Sequence, residues 1–151
     1  MTISQSPMRA VAGQSISYTP NSAPYWDGLR RGVIRVQHCR TCLEAFFYPR
    51  ARCLHCLGED LEWRPVTGTP RLVTWTVAHR ATSEAFEDQP PQTIAVVEIA
   101  SGVQLTSTLV DTGAVRLREG LALEPVFDRS SANLTLLRFR PVQRCTRRAS
   151  A

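Results

Sequence analysis

Four cysteines of this chain fall into two pairs of one shape, Cys39-Arg40-Thr41-Cys42 and Cys53-Leu54-His55-Cys56, with ten residues between the pairs. A C-x-x-C knuckle turns two sulfurs toward one point. A second knuckle completes a tetrahedral set about 2.3 Å from a metal ion. No other feature restricts the fold as strongly, because it places a zinc ribbon near residues 37–58 before any strand is considered. Ribbons commonly put about 15–20 residues between pairs. Ten is shorter, yet enough for a short aromatic strand through Phe46 and Phe47, a break at Pro49 and a return.

Two other uses of the cysteines compete with zinc. The first is a pair of disulfides. Met1 to Pro20 is rich in Ser, Thr and Gln and has no long apolar stretch, so it reads as a flexible leader rather than a secretory signal. A cytoplasmic, reducing setting follows as the expectation, and thiolates rather than disulfides. The second is a rubredoxin-type iron, since four sulfurs suit both metals. Zinc is the expected ion, with iron second. A catalytic zinc keeps one position for water or substrate, whereas four protein thiolates leave none, so the expected metal builds structure. His38 and His55 adjoin ligands without being needed as ligands, and Cys145 reads as a bystander thiol.

The net charge of +5 invites a nucleic-acid reading. Its distribution argues against one. Every basic residue besides histidine is arginine, and residues 65–142 hold seven arginines against eight acids. Three more arginines lie in the tail, residues 143–151. A near-neutral segment makes a poor phosphate-tracking groove. Apolar runs stay short of the roughly 18 residues of a membrane span, so no membrane partner is expected.

The leader is assigned residues 1–20, a helix-and-ribbon unit residues 21–66, and a β unit residues 67–142. Ser22 as N-cap, Pro24 in the first turn and Gly32 as a stop predict a short helix. Tyr25, Trp26 and Leu29 would share one side. That side either packs on the core or meets a partner subunit, with Tyr25 and Trp26 as the interface. Val33–His38 and Leu61–Val66 read as ribbon strands, and Thr67-Gly68-Thr69-Pro70 as the boundary turn. Five strand-like runs follow: Arg71–His79, Thr93–Ala100, Val103–Asp111, Leu121–Arg129 and Leu134–Val142. In the first, Val73, Trp75 and Val77 alternate with threonines. In the second, Ile94-Ala95-Val96-Val97 is continuously apolar, which predicts burial of both faces. Five short strands without a long helix predict a mainly β fold ending in an OB-fold barrel. The long loop after the first strand, through Phe86, suits a functional segment. His79 and Arg80 stand where it begins. Arg80 suits phosphate contacts, and His79 is the best acid–base candidate in a chain with no catalytic triad, P-loop or dinucleotide fingerprint.

The order of these features resembles a known family. Tyr25-Trp26-x-Gly28-Leu29, the two knuckles, Leu61-Glu62-Trp63, Thr74-Trp75-Thr76-Val77-x-His79-Arg80, Val115-Arg116-Leu117-Arg118-Glu119-Gly120 and Arg138-Phe139-Arg140-Pro141 run in sequence from Tyr25 to Pro141. The chain resembles the acyl-CoA-associated OB-fold proteins with an N-terminal rubredoxin-like zinc ribbon. That resemblance implies a non-catalytic subunit that bridges a thiolase-like, hydratase or steroid side-chain aldolase enzyme and helps hold the CoA part of its acyl-CoA substrate. Leu43 and Leu57 stand where the family usually carries glycine. A single-stranded nucleic-acid-binding protein and a small enzyme using His79 are the competing readings.

Overall fold

The computed structural model describes residues 18–80, 91–113, 115–131 and 134–142. Helix α1 spans Ala23–Arg30. Ser22 sits at its N-cap without a side-chain capping bond; its hydroxyl donates instead to the Thr19 carbonyl at 3.2 Å. The helix ends as its sequence predicts. Gly32 takes a φ of 74°, and its N–H donates to the Leu29 carbonyl at 3.0 Å. Gly28 is required for another reason: a Cβ there would lie 2.6 Å from the Val33 carbonyl oxygen. The chain can therefore fold back tightly from helix to strand.

Strands β1 (Arg35–Cys39), β2 (Ala45–Phe46) and β3 (Leu61–Pro65) form one antiparallel sheet in the order β2-β1-β3. Strands β4 (Arg71–Ala78), β5 (Gln92–Ala100), β6 (Val103–Leu109), β7 (Leu123–Ser131) and β8 (Leu134–Pro141) form a second sheet ordered β4-β5-β6-β8-β7. Its pairs are antiparallel except β6 with β8. The sheet curls until its ends meet. Leu72 N–H donates to the Leu121 carbonyl at 2.9 Å, Gly120 N–H to the Leu72 carbonyl at 2.8 Å, and Leu123 N–H to the Pro70 carbonyl at 2.8 Å. This is the strand order of an OB-fold, as expected, reached from five short strands and no interposed helix.

One hydrophobic core joins ribbon and barrel. Tyr25, Leu29, Ile34 and Val36 from the first half pack with Leu72, Ala95, Val97, Ile99, Leu105, Leu123 and Phe139 from the second. The bland expectation for α1 therefore holds for Tyr25 and Leu29, which are buried, while Trp26 is half-buried against Tyr18 and Tyr25.

Two readings of the strands need correction. The β5 run alternates: Ala95, Val97 and Ile99 are buried, whereas Ile94, Val96 and Glu98 are only partly covered. A continuous apolar run does not require two buried faces. In β4 a bulge lies between Leu72 and Thr74, so Leu72 rather than Val73 enters the core. Trp75 and Val77 then stand opposite Ala95 and Thr93 on the inner face. They remain exposed because the sheet does not close over them.

A charged pair is sealed against the barrel. Arg138 Nε donates to Asp128 Oδ2 at 2.7 Å, and its Nη1 to Thr108 Oγ1 at 2.7 Å. Desolvation pushes the Asp128 carboxyl up, but the Ser130 hydroxyl and N–H and the Arg138 guanidinium outweigh it, holding the carboxyl below its ordinary value. Removing the carboxylate strands a buried cation. Asp128→Asn is expected to cost about 2–4 kcal/mol at pH 7 in urea unfolding. A folded value below the ordinary one means the contribution is complete above about pH 4 and is lost as pH falls through the depressed value. The gap between wild type and variant should therefore shrink in acid; a constant gap would contradict the pairing.

Candidate metal centre

The two knuckles are built alike. Cys39 N–H donates to the Glu44 carbonyl at 2.9 Å and Leu43 N–H to the Cys39 carbonyl at 2.9 Å; in the second, Cys53 N–H donates to the Gly58 carbonyl at 2.9 Å and Leu57 N–H to the Cys53 carbonyl at 3.2 Å. Each closes on a residue in the left-handed region, Leu43 at φ 64° and Leu57 at φ 60°. Leucine thus adopts the conformation that glycine would take more cheaply. The knuckle turn survives the substitution. Both side chains point to solvent, 70% and 69% exposed, so packing cannot be the compensation.

The four sulfurs converge. All lie within 4.8 Å of one another, with Cys39 and Cys56 at 3.6 Å and Cys42 and Cys53 at 3.5 Å. A tetrahedron with metal–sulfur bonds of about 2.3 Å has edges near 3.8 Å, so the cradle fits a zinc-sized ion. His55 N–H donates to Cys53 Sγ at 3.3 Å. Cys39 and Cys53 are buried, and Cys56 is the exposed member. Without a cation the thiols of Cys39, Cys42 and Cys56 are pushed in opposite directions, Cys39 down and the other two up. The Cys42 and Thr41 N–H groups and neighbouring thiols, working against burial, push Cys39 down to about 6. At Cys42 the Glu44 N–H favours thiolate, but burial and the Cys53, Cys56 and Cys39 thiols outweigh it and push the group up to about 12. A divalent ion relieves this conflict by holding all four as thiolates. A zinc-sized ion held there would be a fixed tetrahedral fastener and, with four protein ligands, would have no open position.

The histidines stay outside the cluster, which among the described residues comprises the four cysteines. His38 Nδ1 lies 3.7 Å from Glu62 Oε1, and His38 Nε2 lies 3.5 Å from Arg64 Nη1. Arg40 first, then Arg64, holds the Glu62 carboxyl below its ordinary value. His55 is exposed. The loop between the knuckles is pinned by a residue that local pattern gave no reason to single out. Gln37, 4% exposed, donates through Nε2 to the Arg50 carbonyl at 2.8 Å and accepts from Arg50 N–H at 2.7 Å. Tyr48 then reaches the barrel, its hydroxyl accepting from Thr106 N–H at 3.3 Å. Tyr18, Trp26, Tyr25, Phe47 and Tyr48 form a chain of ring contacts between 4.5 and 5.6 Å.

The other candidates are not gathered into this site. His79 and Arg80 are exposed at the end of β4 and make no ion pair among the described residues. Phe86 lies outside the described residues, as does Cys145. A hollow of about 300 Å³ at the boundary turn is lined by Thr67, Thr69, Arg71, Glu98 and Ser101, and by neither His79 nor Arg80. No described helix is long and apolar enough to cross a membrane.

Two family models meet within β3, a few residues before the second sheet begins. The rubredoxin-like zinc ribbon domain of ChsH2 matches residues 26–62, and the C-terminal OB-fold domain of ChsH2 matches residues 63–128. A DUF35 domain-containing scaffold protein of Methanothermobacter thermautotrophicus is 32% identical over 90 residues, covering 59% of this chain and 67% of the relative. The chain belongs to the ChsH2 (DUF35) family. A solved structure, the Ltp2-ChsH2(DUF35) aldolase, superposes with a TM-score of 0.74 at 25% identity, covering 85% of this chain and 100% of that one. A probable enoyl-CoA hydratase alpha subunit of Thermomonospora curvata is 26% identical over 121 residues, 80% of this chain. The chain spans only 37% of that relative's length. Membership accounts for the ribbon and barrel in one chain, and for the motifs that lie between residues 26 and 128.

The left-handed leucines provide a test of the knuckle. Because Leu57 is exposed, its replacement isolates backbone geometry. Leu57→Val should lower stability and weaken zinc retention by about 1–2 kcal/mol, since β-branched residues fit this region worst. Leu57→Gly should stay within about 0.5 kcal/mol of wild type, as eased strain offsets added freedom of the unfolded chain. Thermal melts and zinc competition on the full chain read both; equal losses for the two variants would contradict the geometry.

Proposed function

We propose that this chain is a non-catalytic accessory subunit. It binds and bridges a thiolase-like enzyme, of the thiolase or steroid side-chain aldolase type, and helps hold the CoA part of an acyl-CoA substrate. Zinc is the ion of the ribbon and serves to fasten it, and the setting is cytoplasmic. One observation carries this reading: the match to the Ltp2-ChsH2(DUF35) aldolase covers all of that chain, ribbon and barrel together. The relatives named as scaffold proteins and as a hydratase subunit point the same way.

The geometry supports it in two further respects. A four-thiolate centre has no room for substrate on the metal, which removes the ribbon from chemistry. His79 and Arg80 stand exposed at a strand end rather than in an enclosed pocket with an orienting partner. Arg80, which makes no ion pair among the described residues, offers a planar fork suited to the phosphates of CoA, and we assign it that contact within the assembled complex. Residues 21–66 then serve as the stapled unit and 67–142 as the recognition barrel. A nucleic-acid role finds no support in a barrel segment with more acids than arginines.

Full-length protein mixed with a thiolase-fold partner should co-elute in size-exclusion chromatography and raise that enzyme's turnover or solubility. Alone it should turn over no acyl-CoA. In the complex, Arg80→Ala should raise KM for acyl-CoA about tenfold with little change in kcat. Turnover by the isolated chain, lost in His79→Ala, would overturn the accessory role.

A further inference from the structure

The far half of β4 is an open sheet edge. Pro70, Arg71 and Leu72 are held by the segment leading into β7, but from Val73 to Ala78 the strand pairs only with β5 among the described residues. No described segment pairs with its outward backbone groups over about 20 Å. Sheet edges are commonly protected by a charge, a proline or a bulge within the open stretch. Val73-Thr74-Trp75-Thr76-Val77-Ala78 has no charged residue and no proline, and its bulge falls at Val73, at the near end, leaving Thr74–Ala78 in regular register with β5. Thr74, Trp75, Thr76 and Val77 are all exposed, in a sequence of high strand propensity.

The ends of this edge carry a different signal. Arg71 lies at one end and His79 with Arg80 at the other, all exposed. None makes an ion pair among the described residues. Among the described residues Arg71 reaches the Gly120 carbonyl, at 3.3 Å, and its cross-strand neighbour Glu98 turns its carboxylate to Gly102 N–H at 3.0 Å. A second copy pairing antiparallel along the same edge would set Arg71 of one strand against His79 and Arg80 of the other. Like charges in register oppose that arrangement.

We propose that the β4 edge from Val73 to Ala78 accepts an extended segment of another protein as an added strand. That segment has a neutral β-branched or aromatic centre and carboxylates at both ends. Backbone bonds supply the pairing, Trp75 and Val77 supply the apolar contact, and the flanking cations set register and choice. This identifies one surface of an assembly subunit, and it rests on the open edge rather than on the identity of any enzyme partner. Arg80's assigned role toward CoA is separable, because strand addition is read without CoA present.

The test uses full-length protein with two capped synthetic peptides that share an alternating Thr-Val centre, one ending in glutamates and the other in lysines. Hydrogen exchange followed by mass spectrometry reads the backbone. The glutamate peptide should slow exchange across Val73–Ala78 and bind about fivefold more tightly than the lysine peptide. The Arg71→Glu, Arg80→Glu double variant should reverse that preference. Equal binding of both peptides, protection elsewhere than β4, or protection of the same amides by self-association without peptide would each overturn the proposal. None of these results bears on whether the chain joins a thiolase-fold enzyme.

Discussion

Sulfur convergence is the constraint on which the first half of this protein depends. Three short strands and one eight-residue helix are too little to bury a core of their own. The knuckles bring Cys39, Cys42, Cys53 and Cys56 within 4.8 Å, and a divalent ion there turns a loop-rich stretch into a rigid unit. With that unit fixed, β1 presents Val36 inward, while Ile34 just ahead of it and Leu29 from α1 fill the same core. Tyr48 crosses from the ribbon to the barrel. A metal's contribution would therefore pass through ordinary packing to the barrel, which adds no residue to the cysteine cluster among the described residues.

The barrel solves a complementary problem. Five strands close only where Pro70, Arg71 and Leu72 meet Gly120 to Leu123, and Leu72 fills the interior there. Beyond the bulge the interior face continues into Trp75 and Val77 but the wall does not. The molecule thus has a sealed end, locked by Leu72, Leu123 and Phe139, and an open flank of neutral sheet edge. The accessory role proposed above has use for both: a core stable enough to present a surface, and a surface left unsatisfied.

Much of this was readable from residue order. Knuckle spacing located the ribbon, Pro24 and Gly32 bounded the helix, and five strand runs gave the barrel to within a few residues at each end. These signals are local, set by turn chemistry and by side-chain periods. What escaped depends on residues far apart in the chain. The β4 register turns on Leu72 meeting Leu121. The alternation hidden in Ile94–Val97 is set by which face the curled sheet encloses. Gln37 grips Arg50 thirteen positions away, and Tyr48 finds Thr106 across 58. Arg138 shows no local sign that it will be buried, because its partners Asp128 and Thr108 come from two other strands. At the candidate site the convergence of the four cysteines was legible, since residue type and spacing carry that geometry. Tyr25 was offered as an interface residue and is core, a distinction that sequence proximity to Trp26 does not make. Leu43 and Leu57 were visible as departures from glycine, but their left-handed conformation was not.

The account's central claim is that the ion is enclosed by protein sulfur and does no chemistry. Zinc-edge X-ray absorption on the full-length protein, alone and with acyl-CoA added, tests this most directly. Four sulfur neighbours at about 2.3 Å, unchanged by the thioester, are the predicted result. A shorter oxygen or nitrogen neighbour in the first coordination sphere, or a sphere that changes when acyl-CoA is added, would contradict it.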